Sequence, residues 1–244
     1  MTRLYNELAD VYHEMYIVLF HYKKVFNFLD KILKKNKCQN ILEIGCGSAP
    51  LSKKFMKKGY KYAAIDLSKE MLKIAHNENP NAKLIQSDMR NFKVKNKVDA
   101  VLCLGRPFTY MTTNSDVMGA LNSSNKALKK NGLLIFDNFD AEFIMKNFQS
   151  KFVQKVKTKN KNYKRINTHK LNLKTGFTWN INETYYIKQN NKTKIEKDKS
   201  TLRSFTKQEI KVFLIMNGFK ILKQIQSNFL KEPFSFYTIA QKIK

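Results

Sequence analysis

Cysteine, arginine and long apolar runs are all scarce in this sequence of 244 residues. The cysteines (Cys38, Cys46 and Cys103) are odd in number and lack metal-ligand spacing, so they predict neither a disulfide framework nor a metal site. No run approaches the ~18 consecutive apolar residues that a membrane-spanning helix requires. The first residues also lack a basic-then-apolar signal pattern. We therefore expect a cytoplasmic protein with no metal and no membrane contact.

Acidic residues are few as well, since 19 Asp and Glu stand against 46 Lys and Arg and give a formal net charge of +27. Cations that contact phosphates supply non-specific affinity for nucleic acid. Only five of the basic residues are arginine, however, and proteins that read phosphates or bases favour its planar fork. The lysines are spread along the whole chain. Codon bias in an AT-rich genome explains this distribution better than a nucleic-acid-binding surface does. Nucleic acid is therefore an alternative partner that we do not favour.

The hydrophobic pattern changes along the chain and predicts an α/β fold. Up to residue 36 the apolar residues recur at helical spacing. Short apolar runs then alternate with helical segments, which is typical of a doubly wound parallel sheet with crossover helices. The runs are 41–44, 62–65, 83–86, 98–104 and 133–136, and the helices are 51–58, 69–76 and 115–128, with an Asn131-Gly132 stop.

The pattern after residue 150 differs from the part before it. Residues 150–200 are polar, rich in lysine and alternating, with a turn at Asn190-Asn191, so they predict an antiparallel β insertion. Thr206 and Glu209 have the spacing of a capping box and predict a helix start. The apolar runs 219–225 and 236–240 predict a closing hairpin at the sheet edge.

A glycine loop, Glu43-Ile-Gly45-Cys46-Gly47-Ser-Ala49, follows the first predicted strand. Glycines at a strand–helix turn permit unusual backbone angles and let a ligand approach the main chain closely. A dinucleotide fingerprint would need a third glycine where this chain has Pro50, and proline removes an N–H from the helix start that would hold a pyrophosphate. The loop therefore disfavours NAD and FAD.

Acidic residues follow the next two predicted strands. Asp66 comes 19 positions after Gly47, where doubly wound folds place a carboxylate that accepts hydrogen bonds from ribose hydroxyls. Asp88 and Met89 follow the third strand and suit the amino edge and the face of an adenine. Because such sheets bind ligands at the carboxyl ends of their strands, these residues and the loop predict one adenosine-containing ligand.

With these motifs the chain resembles the class I S-adenosylmethionine-dependent methyltransferases, in particular the branch of the sugar N,N-dimethyltransferases and glycine N-methyltransferase. The resemblance begins at Tyr5-Asn-Glu-Leu-Ala-Asp-Val-Tyr12 and runs through the glycine loop, Asp66-Leu67-Ser-Lys-Glu-Met71 and Ser87-Asp88-Met89-Arg90 to Phe108-Thr-Tyr110. It implies a Rossmann-like sheet of seven strands, mostly parallel, with the last strand antiparallel. It also implies an N-terminal helical lid (1–36), a cofactor-binding core (37–149 and 201–244) and a β insertion (150–200) covering the substrate site.

The resemblance implies S-adenosyl-L-methionine as the cofactor and assigns residues to it. Gly45, Gly47 and Ala49 would line its methionine and ribose, Asp66 would hold the ribose hydroxyls, Met71 and Met89 would flank the adenine, and Asp88 would meet the adenine amino group. The lid residues Tyr5 and Tyr12 would close on the cofactor. We also assign Glu43, Cys46, Leu67 and Leu104 to this site, because they lie in or beside the same strand ends.

Catalytic and substrate residues are predicted less directly. Methyl transfer from a sulfonium requires mainly alignment and exclusion of water, and an amine acceptor need only be neutral, whereas an oxygen acceptor usually needs a base or a metal. The candidate catalytic residues are Tyr12, His13 and Tyr110, and the candidate substrate contacts are Tyr16, His21, Arg106 and Tyr110.

Three functions fit the sequence, in order of preference. The first is methyl transfer to a small molecule, more readily to nitrogen than to oxygen, by a monomer or a homodimer. The second is methyl transfer to RNA or protein through the basic surface. The third is a binding module that keeps the cofactor pocket and has lost catalysis.

Overall fold

The computed structural model describes residues 2–190, 192–230 and 232–243, without the side chain of Phe229. Its centre is a seven-stranded sheet of order β10-β11-β5-β4-β1-β2-β3. The strands are β1 (Asn40–Ile44), β2 (Lys61–Asp66), β3 (Lys83–Gln86), β4 (Val98–Cys103), β5 (Leu128–Phe139), β10 (Phe219–Ser227) and β11 (Glu232–Lys242). β11 runs antiparallel to β5 and β10, and the other neighbouring pairs of the sheet are parallel. This confirms the predicted sheet and its antiparallel last strand.

Helices cover both faces of this sheet, because every parallel connection must cross one face. The α-helices of the described residues are α1 (Ala9–Leu19), α2 (Tyr22–Lys35), α3 (Ser52–Lys57), α4 (Lys69–Glu78), α5 (Asn114–Ala127), α6 (Ala141–Lys146) and α7 (Lys207–Met216). Of these, α1 does not pack on the main sheet. One core layer packs β1, β2 and β4 against α2 and α3, and the other packs them against α5 and α7. The strand order changes direction between β1 and β4, where such folds bind their ligands.

The predicted insertion is an antiparallel sheet of four strands: β6 (Lys151–Lys157), β7 (Asn162–Leu171), β8 (Phe177–Gln189) and β9 (Lys192–Ser204). The predicted turn at Asn190-Asn191 falls between β8 and β9, where Asn190 has a left-handed φ of 47°, and Asn191 lies outside the described residues. This sheet has a separate hydrophobic cluster that it shares with the first helix, formed by Leu4, Leu8, Met15, Val156, Tyr163 and Tyr185.

Two sequence-based boundaries differ from the structure. The predicted lid of residues 1–36 consists of two parts that pack in different places. Helix α2 buries Val25 and Leu29 in the main core, whereas α1 packs on the insertion. The predicted stop at Asn131-Gly132 does not end a helix: α5 ends at Ala127, and β5 already starts at Leu128. Asn131 lies inside that strand and has φ 63°. Because Asn and Gly in the left-handed region commonly end helices, this pair predicted a helix terminus where the structure has a strand.

The helix start predicted at Thr206 is confirmed. The Thr206 hydroxyl accepts the backbone N–H of Glu209 at 3.0 Å. The Glu209 carboxylate does not return to the cap, because it pairs with the buried Arg203 guanidinium. No helix in the described part of the chain has the length and apolar character needed to cross a membrane.

Candidate active site

A cavity of about 780 Å³ lies at the carboxyl ends of β1, β2, β3 and β4, between the main sheet, α1 and the insertion. Most of the residues predicted to bind a cofactor line it: Tyr5, Tyr12, Glu43, Gly45, Cys46, Gly47, Asp66, Leu67, Asp88, Met89 and Leu104. Tyr110, predicted for catalysis and substrate binding, lines it too. The sheet topology therefore brings four separate sequence segments to one site.

The glycine loop adopts left-handed backbone conformations that its residue types allow. Gly45 has φ +64°, Gly47 has φ +54° and Ala49 has φ 47°. A Cβ atom added to Gly45 would lie 2.8 Å from both Met89 Cε and Pro107 Cβ, so only glycine fits there without displacement. Ala49 is buried and does not line the cavity.

Asp66 at the end of β2 is tied to the glycine loop. Its carboxylate accepts the Gly47 N–H at 2.7 Å on one oxygen and the Ser68 N–H at 2.8 Å on the other. Burial raises the pKa of Asp66, and the backbone N–H donors counteract that rise. Because a carboxylate oxygen can accept more than one hydrogen bond, both oxygens can still receive hydroxyl donors from the cavity.

The remaining acidic residues of the cavity differ in charge state. Asp88 is paired with the Arg90 guanidinium, which also reaches Asp116 at 2.9 Å, and this lowers the pKa of Asp88. Glu43 accepts the Tyr62 hydroxyl at 2.6 Å, and burial raises its pKa to about 7. Near neutral pH, Asp88 beside β3 is thus ionised, and Glu43 beside β1 is close to its midpoint of titration.

Tyrosines close the cavity on the side opposite the strands. The Tyr5 and Tyr110 hydroxyls are 2.9 Å apart and hydrogen-bonded. Tyr12 packs edge-on against Tyr5, and Tyr16 stacks on Tyr12 at 4.2 Å between ring centroids. Burial raises the pKa of Tyr5, Tyr12 and Tyr110, so these phenols stay protonated at neutral pH. They can orient a ligand by hydrogen bonding and ring contacts, and they cannot act as bases.

Several predicted site residues lie outside the cavity lining. Met71 is fully buried beneath the glycine loop, and its Cε atom would lie 3.1 Å from a Cβ on Gly47. His13 binds Ser48 of the loop, with 2.9 Å between Nδ1 and Oγ, and so fastens α1 to the cofactor side. Tyr16 lies behind Tyr12, and His21 precedes α2 as its N-cap.

Arg106 is held away from the cavity. Its guanidinium donates to Glu232 at 2.7 Å and lies 5.1 to 5.4 Å from the ring centroids of Phe20, Phe139 and Phe234. Arg106 has a left-handed φ of 68°, and these contacts hold the loop after β4 in that conformation. These contacts give Arg106 structural partners, and its contact with a substrate stays a prediction.

The sequence reasoning missed part of the lining. Phe20, Tyr22 and Val25 border the cavity from the start of α2, and the insertion contributes Lys170, Asn180, Ile181, Asn182, Lys199, Ser200 and Thr201. The alternation of residues 178–187 predicted a strand, but it did not show which residues of that strand line the cavity. In the described part of the chain there is no cluster of three residues that could hold a metal ion.

Comparison with known proteins agrees with this geometry. Residues 41–132 match the family model of the methyltransferase domain, which covers the strand ends described above. In these residues the chain is similar to the methyltransferase domain, and its strand order is that of a Rossmann-like sheet.

Curated relatives share part of the chain. Glycine/sarcosine N-methyltransferase of Parasynechococcus marenigrum is 30% identical over 122 residues, which are 47% of this chain and 43% of the relative. The Streptomyces venezuelae dTDP-3-amino-3,4,6-trideoxy-alpha-D-glucopyranose N,N-dimethyltransferase is 28% identical over 101 residues, or 41% of this chain and 43% of the relative. The chain thus spans about half the length of the curated relatives it matches.

Solved structures match almost the whole fold. An S-adenosylmethionine-dependent methyltransferase from Clostridium acetobutylicum superimposes with a TM-score of 0.80 at 18% identity, covering 97% of this chain and 98% of that one. Streptomyces venezuelae DesVI gives a TM-score of 0.80 at 18% identity, over 94% and 97% of the two chains. At this identity the likeness shows that the fold, including lid and insertion, is shared.

Proposed function

We propose that this protein is an S-adenosylmethionine-dependent methyltransferase that methylates an amine nitrogen of a small molecule. The observation that carries the proposal is the convergence of Gly45, Asp66 and Met89 on one cavity of about 780 Å³. The methyltransferase-domain match and the N-methyltransferases among the relatives support it.

The residues of the cavity fit this cofactor. Gly45 packs so closely on Met89 and Pro107 that only a residue without a Cβ fits, and Gly45 and Gly47 present their backbone at the cavity wall. Asp66 has acceptor capacity for two ribose hydroxyls, and Met89 offers an apolar surface for a base. When bound, the cofactor supplies an electrophilic methyl group on a sulfonium.

The chain's own residues then have to align the acceptor and exclude water. Tyr5, Tyr12 and Tyr110 cover the cavity from the lid side, and their rings and neutral hydroxyls can orient an amine. No histidine is among the described residues that line the cavity. A neutral amine needs no base, so this lining is sufficient for a nitrogen acceptor, and the N-methyltransferases among the relatives support nitrogen over oxygen.

The test is cofactor binding and turnover by the full chain. We expect S-adenosylmethionine to bind with micromolar affinity and Asp66→Ala to weaken it at least about a hundredfold, from the loss of two charge-assisted hydrogen bonds. Asp116→Ala, which changes a carboxylate outside the cavity lining, is the matched control and should retain binding. Unchanged affinity of Asp66→Ala would contradict the assigned site.

A second measurement addresses the acceptor. The enzyme is incubated with the cofactor and a fractionated metabolite extract, and formation of S-adenosylhomocysteine is followed. We expect turnover with fractions that contain primary or secondary amines, and loss of turnover after these amines are acetylated. Binding without turnover in any fraction would identify a catalytically silent module.

A further inference from the structure

The insertion sheet separates its charges by face. Residues 151–204 contain thirteen lysines and three acidic residues, Glu183, Glu196 and Asp198. Glu183 pairs with Asp198, and Glu196 lies two residues before Asp198, so all three acidic residues belong to one face. That inner face also carries Tyr185 and packs on α1. The opposite, outer face has exposed or half-buried side chains, and none in the described part of its four strands is acidic.

Eight lysines of the outer face are exposed and form no ion pair within the part of the chain that the structure describes. They are Lys151, Lys155, Lys157, Lys164, Lys170, Lys188, Lys197 and Lys199. Lys155 and Lys164 stand directly opposite each other, and like charges in that position destabilise a sheet. Codon bias raises lysine content on either face, so it does not explain why the acidic residues are confined to the inner one.

An apolar band crosses the outer face between these lysines, with one residue from each strand. Val153 pairs with Ile166 in one row, and Tyr186 pairs with Ile195 in the next row. Val153 is 45% exposed and Ile195 is 55% exposed. Four lysines lie on one side of the band, Lys155, Lys157, Lys164 and Lys188, and four on the other, Lys151, Lys170, Lys197 and Lys199. The outer face is thus an apolar centre with a basic rim.

We propose that the outer face of the insertion docks on an anionic lipid surface. Negative headgroups attract lysines without requiring a fixed geometry, and the boundary between headgroups and acyl chains accepts aliphatic side chains and tyrosine. The basic rim and the apolar band meet these two requirements together. The expectation of no membrane contact rested on the lack of a long apolar run, which docking of this kind does not need.

A nucleic acid fits this face less well. A single strand that lies on a sheet is held by bases stacked on several exposed aromatic rings. The described outer face has one ring, that of Tyr186, which is half-buried and has the Lys164 ammonium 5.7 Å from its centroid. Guanidinium groups bind phosphates in a fixed fork, but Arg165 and Arg203, the arginines of the insertion, are buried. The exposed aliphatic side chains of the band also favour a lipid surface over a polar strand.

The chain offers a matched control for the charge. The test set lies beside Tyr186 in the sheet: Lys155, Lys164 and Lys188. The control set lies in the loop before β4, at the end of the main sheet opposite the cavity: Lys93, Lys95 and Lys97. All six lysines are exposed, and neither set lines the cavity. Replacing either set by glutamine removes the same charge from a cluster of the same size.

The experiment measures co-sedimentation of the full chain with vesicles of phosphatidylcholine alone, or of phosphatidylcholine and phosphatidylglycerol in equal parts. The wild type should bind the anionic vesicles, lose this binding as salt is raised, and not sediment with the neutral vesicles. We expect K155Q/K164Q/K188Q to weaken binding to the anionic vesicles at least about tenfold and K93Q/K95Q/K97Q less than about twofold. No binding to the anionic vesicles, or equal losses in the two triple variants, would overturn the proposal.

The apolar band distinguishes a bilayer from other anionic partners. The double variant V153T/I195T keeps the β-branched shape and removes apolar surface, so it should weaken vesicle binding at least about threefold. No loss would show that charge alone attracts the chain, and the assignment to a bilayer would be wrong. Tighter binding of a single-stranded RNA or of polyglutamate than of the anionic vesicles, through the same three lysines, would identify a nucleic acid or an acidic protein as the partner and would also overturn it.

This surface is independent of the proposed function. The affinity for S-adenosylmethionine should be the same in the wild type, K155Q/K164Q/K188Q and V153T/I195T, because none of these residues lines the cavity. Circular dichroism of the same variants checks that they are folded. If the wild type docks on anionic vesicles through the outer face but does not bind the cofactor, the proposed function fails while the docking surface stands.

Discussion

The half of the cavity formed by β1, β2 and β3 takes its lining from consecutive strand ends, whereas the opposite half takes its lining from segments far apart in the chain. In the first half, the Gly47 N–H donates a hydrogen bond to the Asp66 carboxylate. In the second, α1 and the insertion meet through a small cluster of their own. The first half is thus built by the fold itself, and the second by a separately packed cover.

Polar contacts hold this cover together. Asp198 on β9 accepts the backbone N–H groups of Arg3 and Leu4, both at 3.0 Å. Glu14 on α1 accepts both Lys161 and Tyr163 at 2.6 Å. The cover therefore adds buried and half-buried polar contacts to its small hydrophobic cluster, whereas the strand side is packed into two large apolar layers. We expect the two halves to respond differently to substitution.

The largest expected effect concerns the cover. Arg165 and Glu183 are buried and 3.6 Å apart, and Arg165 also donates to the Tyr16 hydroxyl at 3.1 Å. Arg165→Leu leaves a buried carboxyl group without its partner, which should cost about 4 kcal/mol. Hydrogen exchange should show the loss in β7 and β8, with β1 and β4 keeping their protection.

The double variant R165L/E183L is the control for this prediction. Because both charges are then absent, we expect it to recover most of the lost stability. An equal loss of protection in β1 and β4 would show that the cover and the sheet unfold as one unit, and the contrast between them would be wrong.

A somewhat smaller effect is expected on the strand side. Gly45→Ala introduces a Cβ at 2.8 Å from Met89 Cε and Pro107 Cβ at a left-handed φ, and should destabilise the protein by about 3 kcal/mol. Gly59→Ala is the matched control: Gly59 has φ +87° but nothing within 4 Å of the added atom, so only the conformational cost of about 1 kcal/mol remains. Equal unfolding free energies for the two variants would refute the tight loop.

The third effect depends on pH and is at most as large as that of Gly45→Ala. Burial raises the pKa of Glu43 to about 7, so the folded protein binds its proton more tightly than the unfolded chain does. Stability from this group is therefore complete below about pH 4.5 and is lost as pH rises to 7, by at most about 3 kcal/mol. Glu43→Gln should stabilise the cofactor-free protein at pH 8 relative to wild type, and chemical denaturation at pH 5 and pH 8 measures this.

Glu7→Gln changes an exposed carboxylate whose partner, Arg3, keeps its charge over this pH range, and it provides the comparison for Glu43→Gln. We expect the difference in stability between Glu7→Gln and wild type to be the same at both pH values. If Glu43→Gln behaves in the same way, Glu43 does not carry the buried charge that distinguishes the strand side.

The sequence was sufficient for the strand side because its determinants are local. The glycine loop, Asp66 and Asp88 each follow an apolar run, and parallel topology alone brings such ends together. The roles of Asp66 and Asp88 toward the cofactor remain predictions that the proposed binding measurements test.

The cover could not be read in the same way, because its contacts join distant residues. Nothing near Arg106 in the sequence indicates that Glu232 neutralises it, and nothing near Lys170 indicates that it meets the same cavity as Asp66. Alternation predicts a strand and its two faces but not what each face meets. The predicted site therefore included His21 and Arg106, which do not line the cavity, and omitted Tyr22 and Lys199, which do.

The strand order has a consequence for biosynthesis. Strand β5 pairs on one side with β4 and on the other with β11, which is translated after the entire insertion. The strands of the insertion pair with their sequence neighbours, so they can form hairpins during translation. At that stage one edge of β5 is still unpaired, because β11 has not yet been synthesised. A nascent chain stalled before residue 232 would thus expose an open sheet edge and be a client for chaperones.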